Sequence, residues 1–195
     1  EYIFPGRNIT IGTVSSINAE ELVNVPVSSV AEALTGKLSG VRVAPHITIA
    51  GQTAPGDGIT LYGYGVSFGS NNIVRHIRLH GSIGMQRGSC TLVADNLRHA
   101  IFDHVSVQWG RWDNLHVKST SDVTFQYCII SEAIDPQRFG ALLERPENIT
   151  IHHCLWINNQ SRNPKGKAFM RFTTMWCTTG GNPVMWAVIP KHIIT

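Results

Sequence analysis

Four cationic side chains lie close together near the end of the chain: Arg162, Lys165, Lys167 and Arg171. Such a cluster can hold the carboxylates of an acidic ligand, and an arginine can bind a carboxylate through two parallel hydrogen bonds. For each lysine, a solvated basic loop explains the pattern about as well. The cluster therefore indicates an anionic ligand if the fold orders this loop.

Histidines and cysteines are the other candidates for chemistry. His152 and His153 are adjacent. Adjacent positions on a strand point to opposite faces, so we predict packing or hydrogen bonding for this pair and not a shared metal ion. Asp103 is expected to orient His104 or to cap a turn. No C-x-x-C pair occurs, which argues against zinc ribbons and thioredoxin-type sites; the cysteines are Cys90, Cys128, Cys154 and Cys177.

The elements that must position these side chains are short strands that recur along the chain. Their first apolar residues are residues 47, 73, 100, 123 and 149, which are 23 to 27 residues apart. A repeat of that length without intervening helices favours a right-handed parallel β-helix, whose stacked turns share one core. An immunoglobulin-like sandwich would need strands roughly every 8–12 residues. The recurring segments are 46–49, 72–79, 99–107, 122–130 and 148–157.

This repeat register makes predictions about the core. Cys128 and Cys154 occupy the same place in successive repeats, so we expect them to stack. The two would form a buried ladder of free thiols, or a disulfide if the local geometry allows one. Four further side chains are expected to point into the common core, namely Ile73, Ile101, Val123 and Ile149.

A different pattern precedes the strands, between residues 15 and 43. Asn18 stands in a cap-like position before two acidic residues, and a second segment runs from Ser28 to Gly40. These signals predict two short helices separated by Pro26. The predicted fold class is therefore all-β, a parallel β-helix with a short helical N-terminal segment.

Composition excludes several other classes. Of 195 residues, 15% are charged and 43% are apolar, which excludes bulk disorder. We find no apolar run of about eighteen residues and no visible leader peptide, so no membrane span is predicted. The net charge of +3 permits a polyanionic ligand but does not indicate nucleic acid, and no nucleic-acid partner is predicted. Glu1 at the first position suggests a mature or truncated product.

Four segments resemble the secreted pectate lyases of the parallel β-helix superfamily, bacterial ones especially. The resemblance covers residues 46–172, in the family's order and at its repeat spacing. It implies a secreted, periplasmic or cell-surface bacterial protein. It also implies an incomplete coil, because family lyases usually carry more turns on both sides. The segments are His46–Ile59, Ile101–Trp109, Val123–Ala133 and His152–Pro164.

The resemblance also implies a reaction. Pectate lyases cleave polygalacturonate, an acidic polysaccharide, by β-elimination: a base removes the C5 proton of a uronate and the C4 oxygen leaves. Arg162 matches the family's base. An Arg162→Ala substitution is therefore expected to abolish elimination, and as a loop substitution to cost within about 0.5 kcal/mol of stability. The side chains expected to bind substrate are Arg138, Lys165, Lys167 and Arg171.

Calcium is the cofactor that the resemblance implies, since a hard cation neutralises charge on the uronate carboxylate. Asp113 lies near the family's calcium-binding strand, and Glu132 is a second, tentative ligand. Two other acidic positions of the family are replaced, one within Gly88–Leu92 and one by His116. Because Ser, Cys and His are poor calcium ligands, we expect weak or absent binding. A catalytically inactive, carbohydrate-binding β-helix remnant is therefore the first alternative function.

The two ends of the chain do not resemble lyases. Residues 13–43 resemble the plug of TonB-dependent transporters for glycan uptake, so a transporter plug fragment is the second alternative. Beyond Phe172, a shift of reading frame restores the family's pattern, which indicates an out-of-frame tail. The predicted division is a plug-like segment at residues 1–45, a pectate-lyase-like β-helix at 46–172 and a frameshifted tail at 173–195.

Overall fold

The structure is a computed structural model that describes residues 40–167, 171–179 and 182–186, the last two ranges by their backbone alone. A short 3-10 turn at Gly51–Thr53 is the one helical element among these residues. The strands, in chain order, are β1 (Val41–Arg42), β2 (Thr48–Ala50), β3 (Ile59–Tyr62), β4 (Val66–Ser67), β5 (Ile73–Arg75), β6 (Ile77–His80), β7 (Leu92–Asp95), β8 (Arg98–Asp103), β9 (Ser106–Gln108), β10 (Asp113–Lys118), β11 (Ser121–Gln126), β12 (Ile129–Ser131), β13 (Phe139–Glu144), β14 (Glu147–Ile157), β15 (Lys165–Gly166), β16 (Arg171–Thr179) and β17 (Asn182–Trp186).

The strands coil into a parallel solenoid of about five turns. A six-stranded sheet has the order β1-β4-β7-β10-β13-β15. The other two faces are joined by the long strand β14, which pairs with β11 through its first half and with β12 through its second half. The order across these faces is β2-β5-β8-β11-β14-β12-β9-β6-β3, with one continuous apolar core enclosed between all three faces. The prediction of an all-β parallel coil is confirmed.

Only the end of the predicted N-terminal segment lies within the described residues. The two predicted helices fall mainly on residues 15–39, which lie outside the described residues, as does most of the plug-like segment. Val41 and Arg42 instead form a strand that pairs in parallel with β4, and Val43 is buried in the core. The packing of the solenoid thus includes residues before His46, where the sequence analysis placed its start.

The predicted core register is right for two positions and wrong for two. Val123 and Ile149 are buried, and they pair with each other across β11 and β14. Ile73 and Ile101 pair with each other but point outward, with 37% and 36% of their surface exposed. In each case the next residue along the strand is the one that enters the core.

Left-handed residues at the corners explain the error. Among the described residues, 17 positions other than glycine have positive φ, and they recur at the corners of successive turns. The position directly after such a corner residue points inward, as Val123 does. In two turns that inward position is held by a polar or small residue, Asn72 or Ala100, both buried. The first large apolar residue then follows one place later and faces solvent, because side chains alternate along a strand.

One corner carries a stack of rings along the outside of the coil. His76, His104, Tyr127 and His153 all have φ of 52–54°, and successive ring centroids are 4.5, 4.9 and 4.8 Å apart. The bend at His153 also brings its Nδ1 to 2.8 Å from Nδ1 of His152. The expectation that these two histidines point to opposite faces is therefore wrong, since the corner interrupts the alternation of the strand.

The cysteine ladder is confirmed. Cys128 and Cys154 are buried, interact with each other and are both free thiols. Burial raises the pKa of the Cys128 thiol, so this thiol is neutral and packs as part of the apolar core.

The last strands extend one face of the solenoid. The backbone of β16 pairs in parallel with β14, and β17 folds back on β16 as an antiparallel neighbour. Residues 187–195 lie outside the described residues. The out-of-frame origin of residues 173–195 stays a prediction.

Candidate active site

Arg162 and Asp113 form an ion pair across two turns of the coil. Arg162 lies in the loop between β14 and β15, and Asp113 is the first residue of β10. Nη1 of Arg162 donates to both carboxylate oxygens, at 3.0 and 2.9 Å. The Asp113 side chain is 0% exposed and that of Arg162 is 19% exposed. Burial raises the pKa of Asp113 and the guanidinium opposes this effect, so the carboxylate depends on Arg162 for its charge.

Aromatic rings and a glycine complete the surroundings of the guanidinium. Cζ of Arg162 lies 4.0 Å from the ring centroid of Phe139 and 6.0 Å from that of Trp112. These are favourable cation–π distances. The loop passes so close to Gly140 that a Cβ atom there would come within 2.5 Å of the Arg162 carbonyl oxygen. The site therefore needs glycine at position 140.

A buried amide network fixes the loop that carries Arg162. The Asn159 side chain donates to the carbonyl of Ile130 at 2.9 Å and to Oδ1 of Asn163, also at 2.9 Å. Its oxygen accepts from Nδ2 of Asn114 at 3.0 Å and from the backbone N–H of Ala133 at 3.2 Å. Each polar atom of this buried amide is bonded. The network ties the loop to the turn before it.

Replacing Asn159 with Ala is expected to lower the free energy of unfolding by roughly 1–3 kcal/mol, because the buried N–H of Ala133 loses its acceptor. Chemical denaturation measures this change. Gln160→Ala is the matched control, since Gln160 is exposed, and should cost within about 0.5 kcal/mol. Equal stability of the two variants would contradict the network's role.

The other predicted substrate-binding cations lie in different places. Lys165 is exposed on β15, and Lys167 pairs with Glu144 on the neighbouring strand. Glu144 keeps a lowered pKa chiefly because of its hydrogen bond with Lys167. Arg171 begins β16, whose side chains lie outside the described residues. The structure thus brings neither lysine into contact with Arg162.

Two more of the predicted residues line a separate pocket. Glu132 and Arg138 line a cavity of about 860 Å³ beside the loop between β12 and β13. Nε1 of Trp109 donates to the Glu132 carboxylate at 3.3 Å, and this ring also lines the cavity. Asp113, the other tentative metal ligand, is not part of this lining.

These contacts give calcium a poor fit. Both oxygens of Asp113 already accept from Arg162, and the neighbouring His116 offers nitrogen where a hard cation prefers oxygen. Within the described ranges, no three His, Cys, Asp or Glu side chains are arranged to hold a metal ion. The residues present therefore do not fit a calcium ion.

Two close aspartate–histidine contacts, both under 3 Å, lie elsewhere among the described residues, besides a longer one between His99 and Asp122. Asp103 meets His104, as expected, with Oδ1 2.7 Å from Nδ1, and it also forms an ion pair with Arg75. On the six-stranded sheet, Nδ1 of His116 lies 2.9 Å from Oδ1 of Asp95. The second pair was not predicted, because Asp95 and His116 are 21 residues apart and only the stacking of β7 on β10 joins them.

Trp112 and Phe139, which lie against the Arg162 guanidinium, were not predicted from the sequence. A signal was present, since Trp112 directly precedes β10 and Phe139 is the first residue of β13, both in the six-stranded sheet. Strand register explains why these rings lie beside Arg162, because Phe139 pairs with Asp113, whose carboxylate binds Arg162. Aromatic residues at the same edge of successive turns could have indicated the cage, that is, the rings of Trp112 and Phe139 around the Arg162 guanidinium.

Comparison with curated proteins finds seven relatives, all called probable pectate lyase C. The chain is 39% identical over 136 residues to the protein from Aspergillus flavus, 40% over 137 residues to that from Aspergillus terreus, and 39% over 134 residues to that from Emericella nidulans. These matches cover 67–68% of this chain and 32% of each relative. No family model matches the chain.

The chain spans about a third of the length of the curated relatives it matches. In the part of the chain that the structure describes, we find no helix long and apolar enough to cross a membrane. The parallel coil and the match to these relatives agree with the resemblance seen in the sequence. The described solenoid is therefore homologous to part of proteins called pectate lyase C, and its parallel coil is consistent with the pectin lyase-like superfamily.

Proposed function

We propose that the protein is a polysaccharide lyase that cleaves polygalacturonate by β-elimination. The observation that carries this proposal is the 39–40% identity to proteins called pectate lyase C. The cationic side chains beside the six-stranded sheet suit an acidic polymer, because each uronate unit carries a carboxylate. The fungal relatives lend no support to a bacterial origin, and a secreted or cell-surface location belongs to the same proposal.

The elimination needs a base and a site for charge. The C5–H bond breaks as the base takes the proton, and its electron pair is first delocalised onto the C6 carboxylate. That pair then forms the C4–C5 double bond as the C4–O4 bond breaks, and O4 takes a proton from water. Charge builds on the C6 carboxylate as the C5 proton leaves, so a donor on that carboxylate lowers the barrier. No oxidant or other reactant is consumed.

Arg162 is our candidate for the base, and its guanidinium must first lose a proton to solvent before it can take the C5 proton. Its Nη1 is held by Asp113, so the remaining nitrogens of the guanidinium are the ones that can face C5 of the substrate. The ion pair and the cage of Phe139 and Trp112 orient the group. Binding of the flanking uronate carboxylates is assigned to Arg138, Lys165, Lys167 and Arg171.

The family assignment carries further predictions about the whole molecule. We expect the coil to be right-handed and incomplete, with additional turns in the full relatives. The division at residues 45 and 172 belongs to the same proposal. It is based on the lyase-like motifs and not on a boundary visible in the packing.

Incubation with polygalacturonate tests the function. We expect a steady rise in the ultraviolet absorbance of unsaturated uronates, in calcium and in chelator alike, because the residues present fit calcium poorly. Heat-unfolded protein is the control. Binding to the polymer without any rise in absorbance would replace the lyase with an inactive carbohydrate-binding remnant. If the protein neither binds the polymer nor raises the absorbance, the lyase and the carbohydrate-binding remnant are both contradicted.

A further inference from the structure

The Asp95–His116 pair lies on the outer face of the six-stranded sheet. The pair lines a groove of about 710 Å³ together with Arg42, Cys90 and Trp112. The His116 side chain is 18% exposed and that of Asp95 is 28% exposed, so both are reached from the groove. Trp112 also lies beside Arg162, which joins this groove to the ion pair described above.

Strand register explains why His116 faces the groove. Its neighbours Leu115 and Val117 are buried in the core, and side chains alternate along a strand. His116 pairs with Leu142 on β13, and Leu142 pairs with Lys165 on β15. His116 and Lys165 therefore occupy one row, two strand spacings or roughly 9–10 Å apart. That row places two cationic groups along the direction in which the coil is stacked.

The hydrogen bonds of His116 leave one donor for a ligand. Nδ1 lies 2.9 and 3.2 Å from the two oxygens of Asp95, so in the imidazolium form this nitrogen donates to the aspartate. Nε2 has no hydrogen-bond partner among the described residues. An imidazole fixed by a carboxylate at one nitrogen presents the other in a defined direction.

The surrounding charges favour the imidazolium. The hydrogen bond to Asp95 is the largest cause that raises the pKa of His116, and the charges of Asp113 and Glu144 act in the same direction against burial. Lys118 lies on the same strand, and Arg42 lies across the groove. Glu144 also forms an ion pair with Lys167.

We propose that the imidazolium of His116, held by Asp95, binds the carboxylate of a uronate in this groove. The inference rests on the proposed function, because it names the group that meets the charge formed during elimination. A charge-assisted N–H to carboxylate hydrogen bond from Nε2 would neutralise part of that charge. Through its Nε2–H group, His116 would thus neutralise charge on the uronate carboxylate, as a bound hard cation would.

The test compares His116→Gln and Asp95→Asn with His99→Gln. His99 is an exposed histidine beside Asp122 on another face of the coil, so it controls for loss of an aspartate-paired imidazole. For His116→Gln we expect about tenfold weaker binding of polygalacturonate and a comparable loss of kcat/KM. The fully methyl-esterified polymer has no carboxylate, so its binding should be equal for all four proteins.

The pH dependence separates binding from a structural role. Affinity of the unchanged protein should be full below about pH 6.5 and should fall as pH rises through the raised pKa of His116. His116→Gln should lose this dependence, and His99→Gln should keep it. An unchanged affinity and pH profile in a folded His116→Gln would overturn the inference while leaving the lyase proposal standing.

A second measurement avoids the variants. In the unchanged protein, nuclear magnetic resonance follows the titration of His116, and addition of trigalacturonate should move its midpoint to higher pH. A midpoint that stays in place under saturating trigalacturonate would reject the inference. If the unchanged protein neither binds nor cleaves polygalacturonate, the proposed function and this inference are both contradicted.

Discussion

Arg162→Ala should abolish elimination of polygalacturonate and also lower the free energy of unfolding by roughly 3–5 kcal/mol, because it leaves the buried Asp113 charge without a partner. The sequence alone predicted a cost within about 0.5 kcal/mol, as for an ordinary loop residue. The structure changes that expectation, since Asp113 is fully buried and both of its oxygens accept from Arg162. Urea denaturation and the absorbance assay measure the two effects separately.

Two further variants isolate the ion pair. Arg87 is an exposed arginine in the loop before β7, so Arg87→Ala should change stability within about 0.5 kcal/mol and leave elimination unchanged. The double variant Arg162→Gln with Asp113→Asn removes both charges and should recover most of the stability without recovering elimination. If Arg162→Ala melts like the unchanged protein, Asp113 does not depend on Arg162; if it still cleaves, the base lies elsewhere.

Phe102→Ala should cost a similar amount of stability, roughly 3–5 kcal/mol, through loss of a buried ring and the cavity left behind. Phe102 is fully buried and lies between Phe68 and Phe125, with ring centroids 5.2 and 4.8 Å away. The three rings belong to successive turns of the coil, with Phe125 stacked on Phe102 and Phe68 in an edge-to-face contact with it. A cavity there cannot be filled without moving two turns at once.

Ile101→Ala is the control for Phe102→Ala, because Ile101 is the preceding residue on the same strand. With 36% of its surface exposed, it should cost less than about 1.5 kcal/mol. Thermal or urea unfolding of the two variants therefore tests the register directly. A larger loss from Ile101→Ala than from Phe102→Ala would restore the register expected from the sequence and reject the one observed.

The sequence predicted the parallel coil because its signal is local and repeated. Short alternating segments 23–27 residues apart cannot bury their apolar faces singly, so stacking is the solution that satisfies them all. The Cys128–Cys154 ladder followed for the same reason, since equivalent positions of successive repeats must meet. Arg162 was identified by its motif and not by its surroundings.

Tertiary structure decided the register and the partners. A left-handed corner residue resets the alternation of faces, so a polar Asn72 or a small Ala100 could occupy the inward position and displace the expected Ile73 and Ile101. The partner of Arg162 lies 49 residues away, on a strand two turns earlier. Periodicity shows that strands stack, but which side chains meet depends on the exact length of each corner, and that length is set by packing in three dimensions.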